Sequence, residues 1–231
     1  MTSVTSTIDE LARTATGWPR LDPRDTSRYG VFVRPDPTTC RAQIELHTLL
    51  QRQFGLIAAC VFPPHATLLG NIAVTGGEAD LLDRISAVAR RHAPFTMYNK
   101  GLSNFNEGIA YDVHELPGGA PNQHIVDLAV DIERELDPVR GRTDTDYLTG
   151  QTSTEGFRAH LTVAGQDYTL RRDLHDEVWR YAEELAPAVP GSFAVGSVSV
   201  FRFHSDHWPS EWWKDMTWHH LRTIPLGEPA P

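Results

Sequence analysis

The sequence predicts an α+β fold built from two similar β-α-β-α-β units in tandem, with antiparallel or mixed sheets and helices on the outside. Three observations predict it. A short pattern occurs twice, His65-Ala66-Thr67-Leu68 and His160-Leu161-Thr162-Val163, each inside an apolar stretch of strand-like composition. Around each copy, runs that alternate apolar and polar residues take turns with runs whose apolar residues recur every three or four positions. These are the periods of a half-buried strand and of an amphipathic helix. The order of the runs is the same in both halves, as in a degenerate internal duplication.

Residues 1–28 are rich in Thr, Ser, Arg and Pro, with only a weak helical stretch around Ile8 to Arg13, and are expected to form an appended arm. Tyr29 to Arg34 alternates as a strand, and Pro35-Asp36-Pro37 breaks it. Thr38 or Thr39 is the expected cap of a helix with Ile44, Leu46, Leu49, Leu50 and Phe54 along its stripe and Gly55 at its end. The first triplet follows on a strand ending at Gly70. After the Gly76-Gly77 turn come a helix from Glu78 to His92, with Leu81, Leu82, Ile85 and Val88 inward, and a strand from Pro94 to Leu102.

The second unit opens with a strand from Gly108 to Leu116 and a turn at Pro117-Gly118-Gly119. A helix from Pro121 to Leu136 carries Ile125, Leu128, Ile132 and Leu136 as one stripe. A loop from Asp137 to Glu155 leads to the second triplet, on a strand ending at Gly165. A helix from Leu170 to Leu185 and a strand from Ser192 to Phe203 complete the unit, and Trp218 to Leu226 returns as a last strand across the loop from His204 to Asp215.

At 231 residues with 40% hydrophobic content, the chain can bury a substantial core as one large domain or two lobes sharing an interface. Its longest apolar run, Leu56 to Phe62, is too short to span a bilayer, and no basic start leads into an apolar stretch, so the cytoplasm is the expected compartment and no membrane partner is expected. Cys40 and Cys60 form no Cys-x-x-Cys pair, which indicates neither a disulfide framework nor a zinc knuckle. A net charge of −9 argues against a surface that tracks long nucleic acid, because such affinity comes mainly from clustered Lys and Arg. A small anion or an RNA end needs only a local positive pocket, for which Arg34, Lys100, Arg158 and Arg202 are candidates.

In an extended strand, residues i and i+2 point the same way, so each triplet puts one imidazole and one hydroxyl on one face of a sheet. A single triplet has little specificity. Two of them can bring two imidazoles to one substrate. One ring can then take a proton while the other gives one, and two hydroxyls can hold the oxygens of an anion between them. This equipment suits the splitting of a phosphodiester without a metal ion. The bland alternative is two core strands whose histidines are ordinary hydrogen-bonded interior residues.

The triplets and their lead-ins, Pro63-Pro64-His65 and Phe157-Arg158-Ala159-His160, resemble the two-histidine phosphoesterase superfamily, the group of 2′-5′ RNA ligases and cyclic phosphodiesterases. The resemblance spans roughly Tyr29 to Leu226. It implies a single bilobal domain over residues 29–226 with interleaved, pseudo-symmetric lobes flanking a cleft, followed by a tail at 227–231. It implies His65 and His160 as catalytic residues, with Thr67 and Thr162 on the phosphoryl oxygens. Many relatives carry a basic residue shortly after the second motif, where this chain has Ala164-Gly165.

The resulting expectation is a metal-independent phosphodiesterase, a monomer with no cofactor, whose substrate is a small nucleotide or RNA end with a 2′,3′-cyclic phosphate or a 2′-5′ linkage. The rival is a sensor that binds a nucleotide in the same cleft without turning it over. Tyr29, Phe157, Arg158, Trp208 and Trp212 are further candidates for substrate contact. The loop from His204 to Trp213 is rich in aromatic residues that can stack a base or, equally well, cover the end of the sheet. A metal reading of His204, Asp206, His207, His219 and His220 lacks a recognised ligand spacing. Residues Arg140 to Tyr147 are a candidate covering loop, with plain surface insertion the stronger reading. His47 and His92 are expected to face solvent or mark helix ends.

Overall fold

The computed structural model describes residues 18–22, 24–105, 108–142, 156–208 and 210–227. The first half contains β1 (Ser27–Val33), α1 (Pro37–Phe54), β2 (Ala66–Val74), α2 (Glu78–Ala89), β3 (Phe95–Tyr98) and β4 (Leu102–Phe105). The second contains β5 (Gly108–Asp112), α3 (Gln123–Leu136), β6 (Arg140–Gly141), β7 (His160–Ala164), α4 (Gln166–Thr169), α5 (His175–Leu185), β8 (Ser192–Val195), β9 (Ser197–His204) and β10 (Thr217–Pro225). The expected helical stretch at Ile8 to Arg13 and most of the expected covering loop, 143–147, lie outside the described residues. β1 starts inside the expected arm, and residues 19–21 run alongside Arg142, with the Leu21 N–H donating to the Arg142 carbonyl at 2.8 Å.

Local chemistry accounts for the element ends. The Asp36 carboxylate, rather than Thr38 or Thr39, caps α1 by accepting from the Thr39 N–H at 2.9 Å, and Pro37 needs no partner for a missing N–H. Gly55 ends the helix at φ 73°. The buried face of α1 is Thr39, Gln43, Leu46, His47 and Leu50, so Ile44, 51% exposed, lies off the stripe where the sequence placed it. The stripe of α3 is as expected, with Ile125, Leu128, Ile132 and Leu136 all fully buried, each contributing about 1.5–3 kcal/mol of hydrophobic stabilisation.

Several strands differ from the sequence reading. Pro94 to Leu102 is not one strand: a bend at Gly101, φ 98°, separates β3 from β4. Ser192 to Phe203 likewise divides at Gly196. Gly70 lies inside β2 rather than at its end, and the expected loop after Asp137 contains β6, which pairs with Ala73 and Val74. The helix expected from Leu170 begins only at His175, after a short 3-10 turn over Arg172–Leu174.

Every strand ladder among the described residues is antiparallel. One lobe is a sheet in the order β10-β9-β1-β2-β6. The other joins β4-β5-β7 to the pair β3-β8 through the bend at Gly101. Pairing crosses between the halves of the chain: β9 of the second half pairs with β1, and β3 and β4 of the first pair with β8 and β5. The helices exchange too, since α1 packs on β7 and α5, and α3 packs on β2 and α2. The lobes are thus interleaved, and one continuous apolar core runs through both.

A second apolar cluster joins Phe32, Phe201 and Phe203 to Trp208, Trp212, Trp213 and Met216, with Phe62 packed against them. The aromatic loop therefore closes over one face of the first sheet.

Candidate active site

Both triplets sit just before a β-bulge of the same design. In β2, Phe32 faces Thr67 and Val31 faces Leu69, which leaves Leu68 as the extra residue. In β7, Ala110 faces Thr162 and Ile109 faces Ala164, which leaves Val163 extra. A bulge lets two consecutive side chains enter the core, and Leu68 with Leu69 and Val163 with Ala164 are all buried. The histidine and threonine of each copy stay together on the opposite face, half-buried. β2 and β7 run beside one another where the lobes meet. The structure thus brings His65, Thr67, His160 and Thr162 together.

The two imidazoles are held alike. His65 Nδ1 lies 2.7 Å from the Pro63 carbonyl, and His160 Nδ1 lies 2.9 Å from the Arg158 carbonyl. A carbonyl only accepts, so each Nδ1 carries the hydrogen and each neutral ring presents Nε2 as its basic atom. Each ring also stacks on a phenylalanine, His65 on Phe32 at 4.0 Å and His160 on Phe105 at 3.9 Å between centroids. Among the described residues, neither Nε2 and neither threonine hydroxyl has a hydrogen-bond partner, so all four point groups are available to a substrate.

Their electrostatics differ. Burial pushes the His65 imidazole down to about 4; the Pro63 carbonyl opposes this, and charge on His160 or His47 adds to it. The two motif rings therefore lie within electrostatic reach of each other. Burial also lowers His160, but there both the Arg158 carbonyl and the Asp112 carboxylate oppose it. Asp112 faces His160 directly across the β5 and β7 ladder.

The remaining candidates divide. Arg158 lies beside His160 and is paired with Asp112 and, at 3.2 Å, with Glu115. Phe157 packs against the main core and meets His114 edge-on. Tyr29 alternates with Phe32 onto the other face of β1, where its hydroxyl reaches Glu78 at 3.4 Å and Glu78 also pairs with Arg202. The structure does not bring Tyr29 to the histidines. Trp208 is 2% exposed and donates to the Thr26 carbonyl at 2.6 Å, and Trp212 is 7% exposed with Phe62 against its edge. Both indoles cover the sheet and offer no free face. Arg34 is exposed, and Lys100 donates to the Pro117 carbonyl.

His204, His207 and His220 have separate partners, Thr26, Asp215 and Thr223. Among the described residues no group of three or more His, Cys, Asp or Glu is arranged to hold a metal ion. No helix among them is long and apolar enough to cross a membrane.

Sequence reasoning missed Phe32, Phe105 and Asp112, and it misplaced His47. His92 ends up just past α2, 3.0 Å from Asp131. His47 is buried in the apolar face of α1, not solvent-facing, with its Nε2 on the Thr162 carbonyl at 2.9 Å. Its spacing from Leu46 and Leu50 was the available signal, since a polar residue inside an apolar stripe faces the core.

The sequence profile of the 2′-5′ RNA ligase superfamily matches residues 25–207. The chain belongs to that superfamily. The kinship with two-histidine phosphoesterases expected from the triplets is thereby met. Among solved structures, TT0787 of Thermus thermophilus is similar at a TM-score of 0.54 and 19% identity, over 87% of this chain and 98% of that one. LigT of E. coli complexed with NADP+ is similar at 0.51 and 14%, over 88% and 99% of the two chains. LigT complexed with ATP gives 0.50 and 15%, over 87% and 98%. At such identities the likeness shows the fold. No curated protein sequence matches this member of the 2′-5′ RNA ligase superfamily.

Proposed function

We propose that this chain is a metal-independent phosphodiesterase that opens a 2′,3′-cyclic phosphate on a nucleotide or RNA end, with 2′-5′-linked nucleotides as the second substrate class. One observation carries the reading. Two imidazoles within electrostatic reach of each other have Nδ1 fixed on a carbonyl and Nε2 free, and each has an unengaged threonine hydroxyl on its own face. Membership of the 2′-5′ RNA ligase superfamily and the nucleotides held by LigT support the same class of ligand.

The electrostatic difference supports a division of roles. His65, held neutral by burial, takes a proton from water at Nε2. The water oxygen bonds to phosphorus as the bond from phosphorus to one ribose oxygen breaks. His160, with Asp112 stabilising its charged form, gives its Nε2 proton to that departing oxygen. Thr67 and Thr162 donate to the two non-bridging oxygens. A bound anion raises the pKa of both rings, and the proton difference between them is restored through solvent after product leaves.

Incubation with a nucleoside 2′,3′-cyclic phosphate in the presence of EDTA tests the proposal. Release of a nucleoside monophosphate is the expected result. Tight binding with no product identifies a sensor, and activity lost in EDTA but regained with a divalent cation identifies a metal enzyme. Product-resolved chromatography distinguishes a 2′- from a 3′-phosphate.

A further inference from the structure

The two motif strands differ in what holds their backbones. Thr67 is paired to Phe32 in β1, and no side chain among the described residues reaches its carbonyl. β7 is an edge strand of its sheet, with β5 on one side and no strand on the other. There the Thr162 carbonyl is taken by two side chains of α1, Gln43 Nε2 at 2.9 Å and His47 Nε2 at 2.9 Å. Gln43 and His47 are one helical turn apart, so they present two donors to one oxygen, which has two lone pairs. Both are almost fully buried, Gln43 at 1% and His47 at 5% exposed. A lone edge carbonyl needs one partner, and this one has two rigid ones.

The connection is reciprocal. Asp167 of α4, directly after the second motif, accepts from the Ile57 N–H and, at 2.9 Å, from the Ala58 N–H, in the segment that leads to the first motif. The Cys60 thiol in the same segment donates to the His47 carbonyl at 3.3 Å. Thus α1 grips the strand of the second motif, and the element after the second motif grips the approach to the first.

We infer that Gln43 and His47 are positioning residues of the reaction: by clamping the Thr162 carbonyl from α1, they set where His160 and Thr162 stand relative to His65 and Thr67. The clamp lies on the peptide of Thr162 itself, two residues from His160. A shift of the strand at that carbonyl moves the threonine side chain and, two residues back on the same strand, the imidazole. Misplacement of reacting groups by about 1 Å costs on the order of 100-fold in rate. This inference rests on the proposed phosphodiesterase reading, and its test separates the two.

Four variants, three single and one double, are compared with the parent for kcat, KM and the pH titration of the His160 ring followed by NMR. Gln43→Leu and His47→Leu each remove one donor, and His47→Gln restores an N–H donor at the second position. Each leucine variant is expected to lose kcat by about 10-fold and the double variant by about 100-fold, with KM changed by less than about threefold. His47→Gln is expected to recover most of the loss. In Gln43→Leu, which changes no charge, the His160 titration moves while that of His65 stays.

Folded leucine variants with the parent kcat and an unmoved His160 titration overturn the inference. So does a His47→Gln variant no better than His47→Leu. If the double variant does not fold, the single variants and the glutamine rescue decide alone. A parent that turns over no cyclic or 2′-5′-linked nucleotide, while Gln43→Leu still moves the His160 titration, overturns the proposed activity and leaves the clamp standing.

Discussion

The two lobes aim their histidine and threonine pairs by the same local devices and then surround them differently. Each histidine rests on the carbonyl two residues back, each ring stacks on a phenylalanine, and each strand bulges at the residue after the threonine. Around His65 stand Phe32 and Phe62 with two further histidines in electrostatic reach. Around His160 stand Asp112 and the Arg158 that Asp112 holds. Backbone geometry delivers like side chains to a like pose, and the neighbours then give the two rings different electrostatic surroundings.

The most direct way to break this comparison is to remove each ring. His65→Ala and His160→Ala are each expected to lower kcat/KM for a nucleoside 2′,3′-cyclic phosphate by about 10²–10⁴-fold. Near-parental turnover in either variant would remove that lobe from the chemistry. Thr67→Ala and Thr162→Ala are expected to cost about 10–10³-fold each, by analogy with the loss of one oxyanion donor. A large drop for one threonine and none for the other would show that a single lobe carries the phosphoryl group.

Asp112→Asn sharpens the division of roles. It takes away the carboxylate that raises His160, so the His160 titration should move further down, the basic arm of the pH profile should shift with it, and activity at neutral pH should fall on the order of tenfold. Movement of the His65 arm instead would reverse the assignment of acid and base.

The smallest effect is on stability. His65 titrates at 6.5 in an unfolded chain and at about 4 in the fold. Above pH 6.5 neither state binds that proton, and as pH falls between the two values only the unfolded chain gains it. Stability is therefore lost across this window. Urea melts from pH 7 to pH 4 should fall less steeply for His65→Gln than for the parent. His160→Gln should flatten the curve less, because Asp112 offsets part of the burial.

Much of this was legible in the chain. Period-2 alternation placed His65 with Thr67 and His160 with Thr162, and the four-residue stripe of α3 was read correctly because its apolar positions are unbroken. The exchange of strands and helices between halves was not legible, since alternation reports that a strand has a buried face and says nothing of which strand lies beside it. The consecutive pairs Leu68-Leu69 and Val163-Ala164 were the available trace of the bulges, hidden because two apolar residues in a row also suit a strand buried on both faces. Trp208 and Trp212 were ambiguous for a similar reason: an indole that covers a sheet and one that awaits a base have the same composition. His47 is expected to face solvent or mark a helix end, because a histidine in a helix usually does one or the other.

The exchange also sets an order of events during synthesis. β1, among the earliest strands to leave the ribosome, finds its neighbour β9 only after more than half of the protein has followed it, and β10 closes that sheet last. Pairings between such distant segments are slow to form. A nascent chain that stops before β9 already holds both triplets and the ladder of β5 with β7, while the sheet around β1 still lacks β9 and β10, so the lobe of the second motif can form before that of the first is complete.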